Sequence, residues 1–157
     1  MRDMYKIGLL VFLLVLSSCT KGELNDPKNR LKDYIARSFS IKKSEDKAYL
    51  MEYLTGDVKA RLGGWSEDQF REAFMDSKRQ FEKLLFREVK EVSATEVQVT
   101  YELTYLDQGR GRDGQKHDAR ITTKKLCQMV LDKGKWFISD VKNIKELVEY
   151  KDEMSLP

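Results

Sequence analysis

The chain holds one histidine, His117, and two cysteines, Cys19 and Cys127, so the side chains suited to acid–base, nucleophilic or metal chemistry are few. His117 sits in a polar stretch, Asp107–Asp118 (DQGRGRDGQKHD). A histidine titrates near neutral pH, but the sequence offers this one no buried acid as a partner, and it reads as a loop residue. Gly109-Arg110-Gly111-Arg112-Asp113-Gly114 has the glycine content of a phosphate loop. It lacks the GK[ST] ending and the strand–loop–helix order that would aim a helix terminus at phosphate. A hairpin tip is the simpler reading; as an interaction loop, Arg110, Arg112, Lys116 and His117 would meet a partner through carboxylate or phosphate groups. No cluster of His, Cys or acids has metal-ligand spacing, so no metal and no cofactor is expected. Cys127, in LCQMVL, reads as a small buried hydrophobe rather than a reactive thiol. Tyr101 and Tyr105 lie on the apolar side of a strand pattern, where a buried phenol is commoner than a catalytic acid.

The remaining residue of chemical interest is Cys19, and its setting is specific. Arg2 and Lys6 form a positive start, Ile7–Leu16 is an unbroken run of apolar or small residues, and Leu16-Ser17-Ser18-Cys19 follows. This is the pattern of a secretory signal, and the run is too short for a spanning helix, which needs about 20 residues. LSSC resembles the lipobox of bacterial lipoproteins. That resemblance implies cleavage after residue 18 and lipidation of Cys19, with acyl chains that anchor at about 0.8 kcal/mol per buried methylene. In the lipoproteins that LSSC resembles, a residue other than Asp after the cysteine, here Thr20, implies the outer membrane, facing the periplasm. Residues 1–18 are thus expected to be the signal, 19–26 a lipid-anchored tether, and 27–157 one domain.

Removing the signal takes away Arg2, Lys6 and Asp3, and the remainder stays close to neutral, with no footprint of nucleic-acid binding. With Cys19 lipidated, Cys127 has no partner for a disulfide, so the fold must stand on its core.

The elements that would position these residues follow in order. Asp26-Pro27 is a cap and a first helical position, with Leu31, Tyr34, Ile35 and Phe39 at helical spacing. Ser44 caps a second helix with Leu50 or Met51, Leu54, Val58 and Leu62 on its apolar face, broken near Thr55-Gly56-Asp57 and ended by Gly63-Gly64. Ser66 caps a third, whose stripe is Phe70, Phe74, Phe81 and Leu84 or Leu85. Phe86–Val92 is a first strand. Val97, Val99, Tyr101, Leu103 and Tyr105 alternate with polar residues as a second. Ala119–Leu131 is a third, bent near Lys124-Lys125. Asp132-Lys133-Gly134 then makes a three-residue turn into Trp136–Val141, setting Val130 opposite Trp136 and Met129 opposite Phe137, with both faces of the hairpin covered. Asn143–Lys151 reads as a short C-terminal helix, with Ile144, Leu147 and Val148 on one side.

The expected fold class is α+β, with N-terminal helices packed on a four-stranded antiparallel sheet. The helical block Ser44–Leu85, the strand VQVTYELTY and the closing LDKGKWFISDVKNIKEL resemble the nuclear transport factor 2-like (cystatin-like) domains of small bacterial lipoproteins. That resemblance implies a curved sheet forming a cone around the helices. Its enzymes place an acid or a His–Asp pair inside the cone, and this chain offers neither. The function expected is therefore a non-enzymatic, lipid-anchored envelope protein that presents its domain to an envelope protein partner. The alternative is a small apolar ligand held in the cone by Met51, Phe74, Tyr101 and Tyr105; an isomerase- or cyclase-like enzyme comes after both.

Overall fold

Asp26 caps the first helix through its side chain, which accepts from the Lys28 amide at 3.0 Å, and Pro27 occupies the first helical position. In the computed structural model, which describes residues 26–76, 78–112 and 114–151 without the side chains of Arg112 and Lys116, helix α1 runs Pro27–Ser38. It buries Leu31 and Ile35, one turn apart on the same face. A 3-10 turn, Ser44–Asp46, leads into α2, Lys47–Met51. The chain then breaks where Thr55-Gly56-Asp57 foretold, with Gly56 at φ +56, and restarts as α3, Gly56–Gly63. Lys47 Nζ donates to the carbonyls of Gly63 and Trp65 at 3.1 and 2.7 Å, satisfying the end of α3 with a positive charge. Ser66 and Gln69 form a reciprocal capping box at the start of α4, Glu67–Arg71.

The third helix ends far earlier than its aromatic stripe suggested. After α4 comes a π-helical turn, Glu72–Asp76, and from Arg79 the backbone is a strand. Four long strands follow: β1 Arg79–Ser93, β2 Glu96–Arg112, β3 Gln115–Asp132 and β4 Lys135–Tyr150. They form one antiparallel sheet in sequential order. The helices all precede the sheet, and the described residues 143–150 are strand, not the expected C-terminal helix.

Register decides the faces. Val97, Val99, Tyr101 and Leu103 of β2 lie opposite Met129, Cys127, Lys125 and Thr123 of β3, and this row turns towards the helices. Ile138 is fully buried opposite Met129. Leu54, in the break between α2 and α3, is bridged to Ile138. The Ile138 amide donates to the Tyr53 carbonyl and its carbonyl accepts from the Thr55 amide, at 2.8 and 2.9 Å, so the helical block covers the outer edge of β4 there. The core gathers Leu31, Ile35, Leu50, Leu54, Phe70, Val99 and Met129 between helices and sheet; full burial of one such side chain contributes about 1.5–3 kcal/mol.

The opposite face is polar, not covered as the bulk on both sides of the hairpin suggested. Thr104 and Thr122 meet hydroxyl to hydroxyl at 3.3 Å, and Arg87 pairs with Glu102 at 2.6 Å. The turn between β3 and β4 also differs. Asp132 pairs with Lys135, leaving a two-residue loop in which Lys133 and Gly134 have φ of 47 and 76. Two positive φ values make a type I′ turn, whose twist matches the strands. Trp136 therefore faces Leu131, and Phe137 faces Val130.

Candidate functional site

An apolar groove lies between α1 and β1. Lys32, Ile35, Ala36 and Phe39 share one face of α1, and across from them stand Phe81, Glu82, Lys83, Leu84 and Phe86 of β1, enclosing about 700 Å³. The helix supplies this wall because positions 32, 35, 36 and 39 fall on one stripe. The strand supplies its wall because Phe81, Leu84 and Phe86 pair with the inward residues Tyr105, Leu103 and Tyr101. A separate space of about 600 Å³ lies beside the start of α1, bounded by Pro27, Lys28, Val89, Val97 and Trp136. Glu82, the acid on the rim of the first space, is held by Arg120 in two contacts at 3.0 and 3.3 Å. Phe81 is 45 % exposed and packs edge-on against Phe39. A volume of this size with apolar walls suits a hydrophobic side-chain cluster or a small apolar molecule.

The residues expected to line a cone are not its walls. Tyr101 is core, 3 % exposed, and burial, with Cys127 and Tyr34 adding, raises its phenol far above the ordinary range. Tyr105 is half-buried on the same face, four residues along. Phe74 stacks with Phe70 and Trp65 on the helical side. Met51 packs beside Gly63, its Cε where a Cβ there would stand at 3.2 Å. The fold brings Phe74 and Tyr105 together only through Arg79, whose guanidinium lies 5.5 and 5.9 Å from their rings.

The Asp107–Asp118 stretch is mostly strand rather than loop. Arg110 pairs with His117, Gly111 with Lys116 and Arg112 with Gln115, and Gly114 turns the chain at φ 76. Arg110 is bound to Glu146 of β4 at 2.7 Å, and His117 is half-buried, edge-on to Tyr150. These two are thus fastened to β4. The backbones of Arg112 and Lys116 belong to the hairpin end; their side chains, like Cys19 and residues 1–25, lie outside the described residues.

Sequence reasoning passed over Arg30. Its guanidinium donates to the Trp136 carbonyl at 3.2 Å and the Glu52 carbonyl at 2.8 Å, and lies 3.9 Å from the Tyr53 ring centroid. It ties α1, the end of α2 and β4 together; a lone arginine in a helical pattern carries no signal of this. Among the described residues no group of three His, Cys, Asp or Glu is placed to hold a metal ion, and no helix is long and apolar enough to cross a membrane.

No protein-family model matches the chain, and no curated protein matches it. Among solved structures, it is similar to the solution structure of a SEC-C motif containing protein from Rhodopseudomonas palustris. The two share 16% identity with a TM-score of 0.54, over 78% of this chain and 82% of that one. At that identity the likeness is one of fold. It corrects the family expectation: the similarity found is to a SEC-C motif protein, not to the nuclear transport factor 2-like, cystatin-like domains of small bacterial lipoproteins.

Proposed function

We propose that this chain is a non-enzymatic, lipid-anchored protein of the cell envelope whose groove between α1 and β1 receives an apolar segment of another envelope protein. The observation that carries the reading is the groove itself, with Ile35, Ala36, Phe39, Phe81, Leu84 and Phe86 around about 700 Å³. The anchor and the outer-membrane address rest on the charged start, the apolar run and LSSC before Thr20. Bulges in β1 and β4 would curve the sheet around the helical block.

The test is a photo-crosslinking residue in place of Phe81, in cells expressing the full chain. We expect one discrete crosslinked envelope protein, lost when Ala36→Trp fills the groove and when Cys19→Ser abolishes both palmitate labelling and anchoring. A crosslink pattern indifferent to Ala36→Trp overturns the groove reading, and palmitate still incorporated by Cys19→Ser overturns the anchor. The groove's volume also favours a second reading, a small apolar ligand. Native mass spectrometry of the purified chain separates the two, because a bound molecule adds mass that denaturation removes.

A further inference from the structure

The space between α1 and β1 has apolar walls, but the charges on its rim are not balanced. Lys32, Glu82 and Lys83 are the charged residues that line it. Glu82 is spent within the sheet, its two carboxylate oxygens accepting from Arg120 at 3.0 and 3.3 Å. Lys83 stands opposite Thr104, whose hydroxyl meets that of Thr122 on the polar face, so it belongs to the outer lip. Lys32 is exposed on α1, on the stripe that also holds Ala36 and Phe39. Among the described residues it has neither an ion pair nor a hydrogen bond. One turn before it stands a second exposed lysine, Lys28. Like charges four apart on a helix repel each other. Within Pro27–Ser38 the one acid is Asp33, which falls about 100° round the helix from Lys32. Asp26, at the cap, is engaged by the Lys28 amide at 3.0 Å.

An occupant of the groove therefore meets apolar walls and, along α1, positive charge that no acid of the rim offsets. Its backbone is constrained as well. The bulges of β1 at Glu82 and Arg87 fall inside the strand wall and break the regular ladder that an added strand needs. A helix satisfies its own backbone and presents side chains three and four apart to a groove. Building on the groove reading above, we infer that the occupant is an amphipathic helix of the partner protein. Its apolar stripe seats against Phe39 and Phe81, and an aspartate or glutamate flanking that stripe pairs with Lys32.

The experiment uses the full chain in cells, with the photo-crosslinking residue in place of Phe81, and adds Lys32→Glu and Lys32→Gln. Both substitutions lie on the exposed side of α1 and should leave the melting midpoint unchanged. Lys32→Glu should lower the crosslink yield about tenfold, because a like charge then faces the partner's acid. Lys32→Gln, which only removes the attraction, should lower it less, and decides the matter if Lys32→Glu fails to fold. The crosslinked peptide, sequenced by mass spectrometry, should carry an Asp or Glu within one helical turn of the attachment point. Replacing that acid by Lys in the partner should abolish the crosslink to the unaltered chain and restore it to Lys32→Glu. A crosslink lost in Ala36→Trp but equal in the Lys32 variants overturns the acidic helix and leaves the groove reading standing. A crosslink indifferent to Ala36→Trp overturns both, and an adduct carried by lipid instead of peptide overturns the helix in favour of a membrane surface.

Discussion

Cys127 and Tyr34 sit where neither can ionise without disrupting the core. Burial pushes the thiol up to about 12, with Asp140 adding, and the Tyr34 phenol to about 12, with Cys127 adding and Arg79 opposing. Both groups therefore keep their protons in the folded chain after the unfolded chain has begun to lose its own, at ordinary values near 9.0 and 10.0. Well below pH 9 these two groups are protonated in both states and contribute no pH dependence. Above it the unfolded state binds fewer, so stability falls as pH climbs towards 12. Lys125, held low, acts in the opposite sense up to its ordinary value of 10.5. The denaturation midpoint should thus decline from about pH 9, and in Cys127→Ala the decline should begin nearer 10. Equal onsets in the two proteins would show that Cys127 does not carry the first part. The same burial predicts that Cys127 resists thiol reagents until denaturant is added, as its reading as a small hydrophobe requires.

The elements were legible wherever a strand kept its period of two or a helix carried a cap. Val97–Tyr105 alternates without fault and is inward and outward as read; Asp26-Pro27, the break at Gly56 and Ser66 are where the caps and breakers put them. The two errors of type have one physical cause. Bulges interrupt β1 between Phe81 and Lys83 and between Phe86 and Glu88, so its inward residues Phe81, Leu84, Phe86 and Val89 are spaced three, two and three. A bulge at Ile144 does the same to β4. A spacing of three mimics a helix stripe, which is why Phe81 and Leu84 read as part of the stripe of the third helix and Ile144, Leu147 and Val148 as one side of a C-terminal helix. The groove was illegible for the same reason, since half of its wall is this bulged strand. The hairpin error was smaller: Lys133 adopts φ 47, a conformation unfavourable for a side chain with a Cβ, so the two-residue turn did not announce itself. Replacing Lys133 by Asn should raise stability by about 0.5–1 kcal/mol, since Asn tolerates this region, and Gly134→Val should lower it by about 1–2 kcal/mol. Unchanged denaturation midpoints for both would return the turn to three residues.

At the scale of the molecule, the sheet's two edges bear on how a partner can bind. The β4 edge is occupied at Ile138 by Tyr53 and Thr55. Among the described residues no strand pairs with the outer edge of β1, which is broken by three register shifts and studded with Lys83, Arg87, Glu88 and Lys90, features that hinder the addition of another strand. A partner is thus better received by side chains in the groove than by the backbone of the edge. Position then matters, because α1, which supplies one wall of the groove, begins at Pro27, where the described chain starts. On the lipoprotein reading, only residues 19–25 and the cap Asp26 separate the start of that helix from the bilayer, a reach of at most about 30 Å. The groove would open close to the membrane surface, and its partner would be one whose apolar segment lies at that height. Inserting twenty Gly-Ser residues between Asn25 and Asp26 should leave the melting temperature unchanged, because the insert precedes the cap of α1. It should lower the Phe81-position crosslink severalfold, because a flexible linker of that length dilutes the domain away from the surface. A crosslink yield that survives the insertion would place the partner free in the surrounding compartment rather than at the membrane.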